Sequence, residues 1–213
     1  VETLLATLAR QAPRACGLTQ SFALCFEGRL SRELAAVGAA VHQIGRVRLS
    51  RPCTVGRARR VLSRLLRRES LDLVVCHQPW PLVVFQSTVR EAGLPIVLWM
   101  HMAGDGRHWI DRLARRAPPD AVVANSRFTA ASVARMFPGT PIHWVYAPLE
   151  FDTAAPIDAL ARRQLRRSLD TPEDAVVVVQ VGRLDPLKGH VIALEALAAL
   201  RHLPGWVYWI VGG

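Results

Sequence analysis

The sequence predicts an α/β fold of two lobes, each built on a parallel sheet. Three observations carry this. Short apolar β-prone runs alternate with amphipathic stretches of ten or so residues along almost the whole chain. The strand-like runs are continuously apolar, as expected for strands covered on both faces. A proline-containing stretch without periodicity, residues 148–157, separates two blocks of this pattern. Strands separated by helices are parallel, with right-handed crossovers.

The elements follow in order. Glu2 to Arg10 reads as a helix, Ser21 to Phe26 as a strand, Ser31 to Val37 as a helix and Ala40 to Ile44 as a strand. Gly45 to Val55 reads as a loop. Gly56 to Glu69 is an amphipathic helix with Ala58, Val61, Leu62, Leu65 and Leu66 on one face and arginines on the other. Leu71 to Cys76 is a strand, Pro81 to Ala92 a helix, and Pro95 to Trp99 the next strand. His101 to Gly106 is a polar loop before a helix over Arg107 to Arg116 and a strand over Ala121 to Ala124. Ser126 is placed to cap a helix reaching Phe137, and Ile142 to Tyr146 closes the first lobe, 1–147. In the second lobe, 158–213, helix Asp158 to Leu169 precedes strand Ala175 to Val181. A glycine-flanked loop, Gly182 to Gly189, then opens helix His190 to Leu200, and strand Trp206 to Val211 follows. Core packing is expected for Trp144, Trp206 and Trp209.

Composition narrows the function. Of 213 residues, 51% are hydrophobic and 21% charged, ordinary for a globular protein. No apolar run reaches the roughly 18 residues of a membrane span, and Val1 to Leu8 has no basic leader of a signal peptide. Cys16, Cys25, Cys53 and Cys76 lack CxxC spacing, which points to reduced thiols in a cytoplasmic protein. The net charge of +10 favours anionic partners. Arg46 to Arg68 holds nine arginines and no acid. Its helical part, Arg57 to Arg68, reads either as a solvated lobe helix or as a surface for the anionic inner face of a membrane. Nucleic acid is not an expected partner, because the arginines alternate with aliphatic residues and not with stacking aromatics.

Ligands in open α/β sheets bind beyond the C-terminal strand ends. The most informative of these ends is Gly182-Arg-Leu-Asp-Pro-Leu-Lys-Gly189. Its glycines permit tight turns, a helix N-terminus follows, and Arg183 and Lys188 supply two cations; together they suit a diphosphate. The alternative is a loop with solvated charges. Neither GxxxxGK[ST] nor GxGxxG is present.

"VGRLDPLKGH" followed by an apolar helix and "WIVGG" resembles the opening of the donor lobe of family 4 glycosyltransferases of the GT-B fold. "VVANSRFTAASVARMFPGTPIHWVYAPLEFD" resembles the end of that family's acceptor lobe, and "VETLLATLAR" the helix after its N-terminal glycine-rich loop. The resemblance implies two Rossmann-like lobes, with the family's first strand before Val1 and its donor-binding glutamate pair after Gly213. The fragment alone is then expected to be inactive. It implies retaining sugar transfer from a nucleotide-sugar to the hydroxyl of a glycan, lipid-linked or small-molecule acceptor, in cell-envelope polysaccharide or glycolipid synthesis. No cofactor or metal is expected; the lack of a DxD motif and of a His/Cys ligand cluster agrees with this. Gly182, Arg183 and Lys188 match the family's diphosphate loop, and His101 matches a catalytic-site histidine. His77, at another strand end, is a candidate for the acceptor cleft. Both histidines could instead be structural. Asp105 and Asp111 read as surface or capping groups, and Ser126 as a helix cap. The alternative function is a non-catalytic nucleotide-binding or membrane-surface protein of the same architecture.

Overall fold

The computed structural model describes residues 1–12, 17–148 and 158–212. Cys16 and all but the first residue of the linker read over 148–157 lie outside the described residues. The chain divides into two units, Val1–Glu150 and Phe151–Gly213.

The first unit opens with α1 (Glu2–Gln11), β1 (Ser21–Leu24), α2 (Arg29–Ala36) and β2 (Ala40–Gln43). Strands β1 and β2 are parallel, with Ser21 opposite Ala40 and Leu24 opposite Gln43. Then come α3 (Pro52–Arg68), β3 (Val74–His77), α4 (Pro79–Glu91), β4 (Ile96–Met100), α5 (Trp109–Ala114), β5 (Ala121–Ala124), α6 (Arg127–Ala134) and β6 (Ile142–Trp144). The last four strands form one parallel sheet in the order β3-β4-β5-β6. Consecutive strands are neighbours, as short βαβ crossovers dictate.

Helix α3 begins at Pro52, four residues before the sequence suggested, so the last four residues of the expected loop are helical. Pro52 takes the first position, where no N–H partner is needed. The Thr54 hydroxyl donates to the Arg51 carbonyl (2.7 Å) and accepts from the Arg48 amide (3.0 Å), which ties the preceding chain to the first turn. Helix α4 likewise begins earlier, at Pro79.

The β3–β6 sheet is not equally covered on its two faces, contrary to expectation. Cys76, Ile96, Leu98, Met100 and Val122 share one face and are buried. They form one cluster with Ala58, Leu62 and Leu66 of α3, with Leu82, Phe85 and Val89 of α4, and with Val133 of α6. The other face carries Val75, His77, Val97, Trp99 and Val123, half-buried or exposed, none of them in that cluster. The helices that follow the strands concentrate their apolar stripes on one face, so the sequence's continuous apolar runs overstate the cover on the other.

The second unit contains α7 (Ala159–Ser168), β7 (Val176–Val181), a 3₁₀ turn (Pro186–Lys188), α8 (His190–Ala198) and β8 (Trp206–Val211). Strands β7 and β8 pair in parallel from Val176–Trp206 to Val181–Val211. Asp158 caps α7, its carboxylate accepting from the Ala161 amide at 2.6 Å. The buried Arg166 guanidinium donates to the carbonyls of Pro172 (2.6 Å) and Ala175 (3.0 Å), fixing the turn into β7.

Trp144 does not pack in the core. It is 48% exposed, with the Arg127 guanidinium 5.3 Å from its ring centroid. Trp206 and Trp209 are half-buried, and the Trp209 indole N–H donates to Thr171 Oγ1 at 3.1 Å.

Candidate functional site

Two groups of residues at C-terminal strand ends have the geometry of sites, one in each unit.

In the first unit, β3 ends in His77 and β4 runs into His101. Pairing of His77 with Trp99 across the two strands puts both on the same half-open face, and His101, two residues on from Trp99, continues it. The three rings stack: His77 to Trp99 at 5.5 Å, His77 to His101 at 5.2 Å, and Trp99 to His101 at 5.9 Å between centroids, all within 22° of parallel. His77 Nδ1 and His101 Nε2 are 2.9 Å apart. One of these nitrogens must carry the shared hydrogen and the other must accept it. If His77 donates, its Nε2 is a free acceptor and His101 carries its proton on Nδ1. If His101 donates, the free acceptor is His101 Nδ1. Moving the shared proton therefore passes basicity from one end of the pair to the other.

Burial lowers the pKa of both rings from 6.5 to about 4. The His101 charge adds to this at His77. The pair is accordingly neutral at pH 7. The Trp99 indole N–H is buried beside the pair, with no hydrogen-bond partner among the described residues.

The surroundings hold the pair in place. Gln78 follows His77 with φ +79°, a left-handed conformation in a non-glycine residue that turns the chain sharply into α4. Its amide donates to the Trp99 carbonyl at 3.0 Å. Asn125 at the end of β5 donates to the His101 carbonyl (2.7 Å) and accepts from the Thr129 hydroxyl (2.7 Å). Ser126 Oγ accepts from the Thr129 amide at 3.1 Å, the capping role expected of it. The 101–106 loop is pinned to α6, where the Gly104 amide donates to Ser132 Oγ at 3.3 Å and a side chain at Gly104 would collide with Met136. Asp105 caps its own turn, accepting from the Arg107 amide at 2.8 Å. Asp111 is buried, not a surface group: burial raises its pKa, and the Gly106 amide donates to its carboxylate.

In the second unit, Gly182 to Gly189 forms a tight strand-to-helix turn. Asp185 Oδ1 accepts from the Leu187 amide at 2.9 Å, and its other oxygen lies 3.3 Å from Arg183 Nη2. Gln180 bridges the turn to β8: its amide nitrogen donates to the Lys188 carbonyl at 2.7 Å, and its oxygen accepts from the Tyr208 hydroxyl. Gly189 adopts φ +70° to enter α8. His190 Nε2 donates to the Arg183 carbonyl at 2.9 Å, and its buried Nδ1 has no hydrogen-bond partner among the described residues. A side chain at Gly212 would overlap the Gly182 carbonyl, so this approach of the two strand ends requires glycine at 212. Arg183 and Lys188 are exposed beside the free amides of the first turn of α8.

The loop is thus more built than the motif suggested. Gln180, Asp185, His190 and Tyr208, which the sequence did not single out, hold its backbone. Asp185 alone carried a usable signal, its place before Pro186 at the start of a turn. Among the described residues no three His, Cys, Asp or Glu side chains gather as a metal ligand set, and no helix is long and apolar enough to cross a membrane.

The sequence pattern of Glycosyltransferase Family 4 matches residues 1–152, so the chain belongs to that family. The chain is 35% identical over 102 residues to a D-inositol 3-phosphate glycosyltransferase of Xylanimonas cellulosilytica, covering 46% of this chain and 24% of that protein. It is 30% identical over 129 residues to D-inositol 3-phosphate glycosyltransferase 1 of Catenulispora acidiphila, covering 53% and 30%. The chain therefore spans less than a third of these curated relatives. The crystal structure of Anabaena Alr3699/HepE in complex with UDP and glucose matches with a TM-score of 0.73 at 19% identity, over 97% of this chain and 56% of that one. A glycosyltransferase from Rickettsia africae matches with 0.72 at 15%, over 98% and 56%. The architecture is α/β with parallel sheets, shared with GT-B glycosyltransferases.

Proposed function

We propose that the full-length protein transfers a sugar from a nucleotide-sugar to an acceptor hydroxyl with retention of configuration, and without a bound metal. The observation that carries this reading is the Gly182–Gly189 turn. Arg183, Lys188 and the free amides of α8 provide fixed positive groups for a diphosphate, and Gln180 and His190 hold their backbone in place. The Anabaena relative, whose structure contains UDP and glucose, supports the donor class.

In the reaction, an acceptor oxygen bonds to the anomeric carbon, the bond from that carbon to the phosphate oxygen breaks, and the nucleoside diphosphate leaves with the electron pair. The hydroxyl proton is released. Charge on the leaving diphosphate is met by Arg183, a planar fork for phosphate oxygens, and by Lys188, a compact point charge. The neutral His77–His101 pair serves the acceptor side, with a lone pair free to accept a hydroxyl hydrogen. The exposed arginines of α3 extend the reading to an anionic membrane surface. Arg57, Arg60, Arg64, Arg67 and Arg68 face solvent, whereas Arg59 turns inward and donates to the Val84 carbonyl at 2.6 Å.

The test is Arg183→Ala and Lys188→Ala in the full-length protein. Each is expected to lower turnover roughly 10- to 150-fold, from the loss of about 1.5–3 kcal/mol per charge-assisted contact, and to weaken nucleoside diphosphate binding. Variants that bind and turn over like the parent would remove the diphosphate site from this loop.

A further inference from the structure

The Gly182–Gly189 turn already carries an anion of its own. It holds two cations, Arg183 and Lys188, and one acid, Asp185. The two cations are not placed alike. Lys188 lays its stem along Gly182, where an added side-chain carbon would sit 3.6 Å from Lys188 Cγ. Its ammonium has no acidic partner among the described residues. Arg183 does have one, since its Nη2 lies 3.3 Å from Asp185 Oδ2.

Asp185 is the fixed member of that pair. Its Oδ1 accepts from the Leu187 amide at 2.9 Å. Its backbone amide donates to the Arg183 carbonyl and its carbonyl accepts from the Lys188 amide, both at 2.8 Å. The Asp185 side chain is 28% exposed and that of Arg183 is 75% exposed. The guanidinium can therefore swing away while the carboxylate stays. The carboxylate takes one guanidinium arm and one backbone amide, the same kinds of donor that phosphate oxygens use at a strand-to-helix turn. Asp185 thus stands in for one ligand oxygen while the site is empty.

We propose that Asp185 sets the affinity of this turn for diphosphate by competing with it for Arg183. The carboxylate holds the guanidinium in the empty site, yields it to an incoming diphosphate, and takes it back as the nucleoside diphosphate leaves. This rests on the glycosyltransferase reading and adds the control of product release. The Leu187 contact uses the other carboxylate oxygen, so the turn keeps its shape during the exchange. Once displaced, the carboxylate faces the phosphates across a short turn, and like charges favour dissociation. An aspartate that only shaped the turn would have the opposite effect, because its loss would weaken binding.

The experiment uses the full-length protein, with calorimetry for affinity and stopped flow for rates. The probes are UDP, UMP, uridine and inorganic pyrophosphate, the last being independent of the base. Asp185→Asn keeps an oxygen for the Leu187 amide and removes the charge. UDP and pyrophosphate are expected to bind roughly three- to tenfold more tightly to this variant. The gain for UDP should come from slower dissociation, with association little changed. It should be smaller for UMP and nil for uridine, whose unchanged affinity also reports that the variant is folded. At about 1 M salt, where charges are screened beyond about 3 Å, the gain should shrink. In an Arg183→Ala background Asp185→Asn should give little of it, because no guanidinium remains to be released.

UDP binding to Asp185→Asn that equals or falls below the parent's would overturn the proposal. So would an equal gain for uridine, or a full gain in the Arg183→Ala background, since the carboxylate would then act without Arg183. A parent that binds neither UDP nor pyrophosphate would instead refute the reading on which the proposal rests.

Discussion

Strands β4 (Ile-Val-Leu-Trp-Met) and β7 (Val-Val-Val-Val-Gln-Val) are both apolar runs, and they end in different environments. Leu98, in the middle of β4, is fully buried, whereas Val178 in β7 is 39% exposed and Val181 is 77% exposed. Strand β4 has partners on both sides and a helix layer over one face. Strand β7 pairs only with β8, and among the described residues α8 buries none of its side chains. Strand formation follows from β-branched composition and ladder pairing, which two strands satisfy. Burial depends on how many helices reach the sheet. Among the described residues, the first unit is held by its core, and the second by strand pairing and by backbone hydrogen bonds around the Gly182–Gly189 turn.

The largest expected effect tests that contrast directly. Leu98→Ala removes a fully buried side chain from a packed cluster and should cost about 2–5 kcal/mol in a denaturant titration of the full-length protein. Val178→Ala should cost less than about 1 kcal/mol, because the side chain is already partly in water. A comparable loss at both positions would show that the β7 face is covered in the full-length protein, and the contrast between the two units would disappear.

The histidine pair gives the next effect, and it belongs to the first unit alone. Both rings have pKa values lowered to about 4 in the folded protein, against about 6.5 when unfolded. Between these values the unfolded chain takes up protons that the folded one refuses. The stability contribution of the pair is therefore complete above about pH 6.5 and is lost as pH falls through about 4. His77→Phe keeps a ring in the stack and removes one titrating group. It should flatten the fall in melting temperature between pH 6.5 and 4. An unchanged slope would mean that the rings are not held neutral by burial.

What was legible in the sequence divides along the same line. The Gly182–Gly189 turn is contiguous, so its glycines and cations could be read together, and the structure adds only the side chains that brace it. His77 and His101 were each readable as strand-end residues, but their 2.9 Å contact was not. It depends on the register that sets His77 against Trp99 across two strands, and no local pattern specifies a register. The left-handed Gln78 between His77 and Pro79 gave no signal, because glutamine is not a residue that marks such a turn. The early start of α3 was masked by Pro52, which reads as a breaker unless it is recognised as a first-turn proline. Trp144 was expected in the core because size and apolarity favour burial, yet Arg127 offers its ring a cation at the surface.

Two arginines do the same job in the two units, with effects expected to differ. Arg90 in the first donates to Asp120 Oδ1 (2.8 Å) and to the Pro118 carbonyl (3.1 Å), while Asp120 Oδ2 accepts from the Ile96 amide at 2.7 Å. That assembly ties the starts of β4 and β5 together. The Ile96 hydrogen bond, with Arg90 beside it, holds the Asp120 pKa below its ordinary value. Both side chains are more than 40% exposed, at 48% and 41%, so water screens the charge pair, and Asp120→Asn should cost only about 0.2–1 kcal/mol. Asparagine also retains an oxygen for the Ile96 amide, which keeps the loss at the low end. Arg166 in the second unit is 7% exposed and has two carbonyl partners and no acid. Arg166→Met would leave the Pro172 and Ala175 carbonyls without it in a site closed to water. The cost should be about 1–3 kcal/mol, confined to the second unit. Hydrogen exchange in the full-length protein distinguishes the two cases. Arg166→Met should speed exchange of the Val176 amide, which pairs with the Gly205 carbonyl at 2.8 Å, and leave Ile96 protected, whereas Asp120→Asn should do little to either. If Asp120→Asn proved the more damaging, exposed charge and not buried backbone bonding would be what secures these turns, and the account of the second unit as held by its hydrogen bonds would fail.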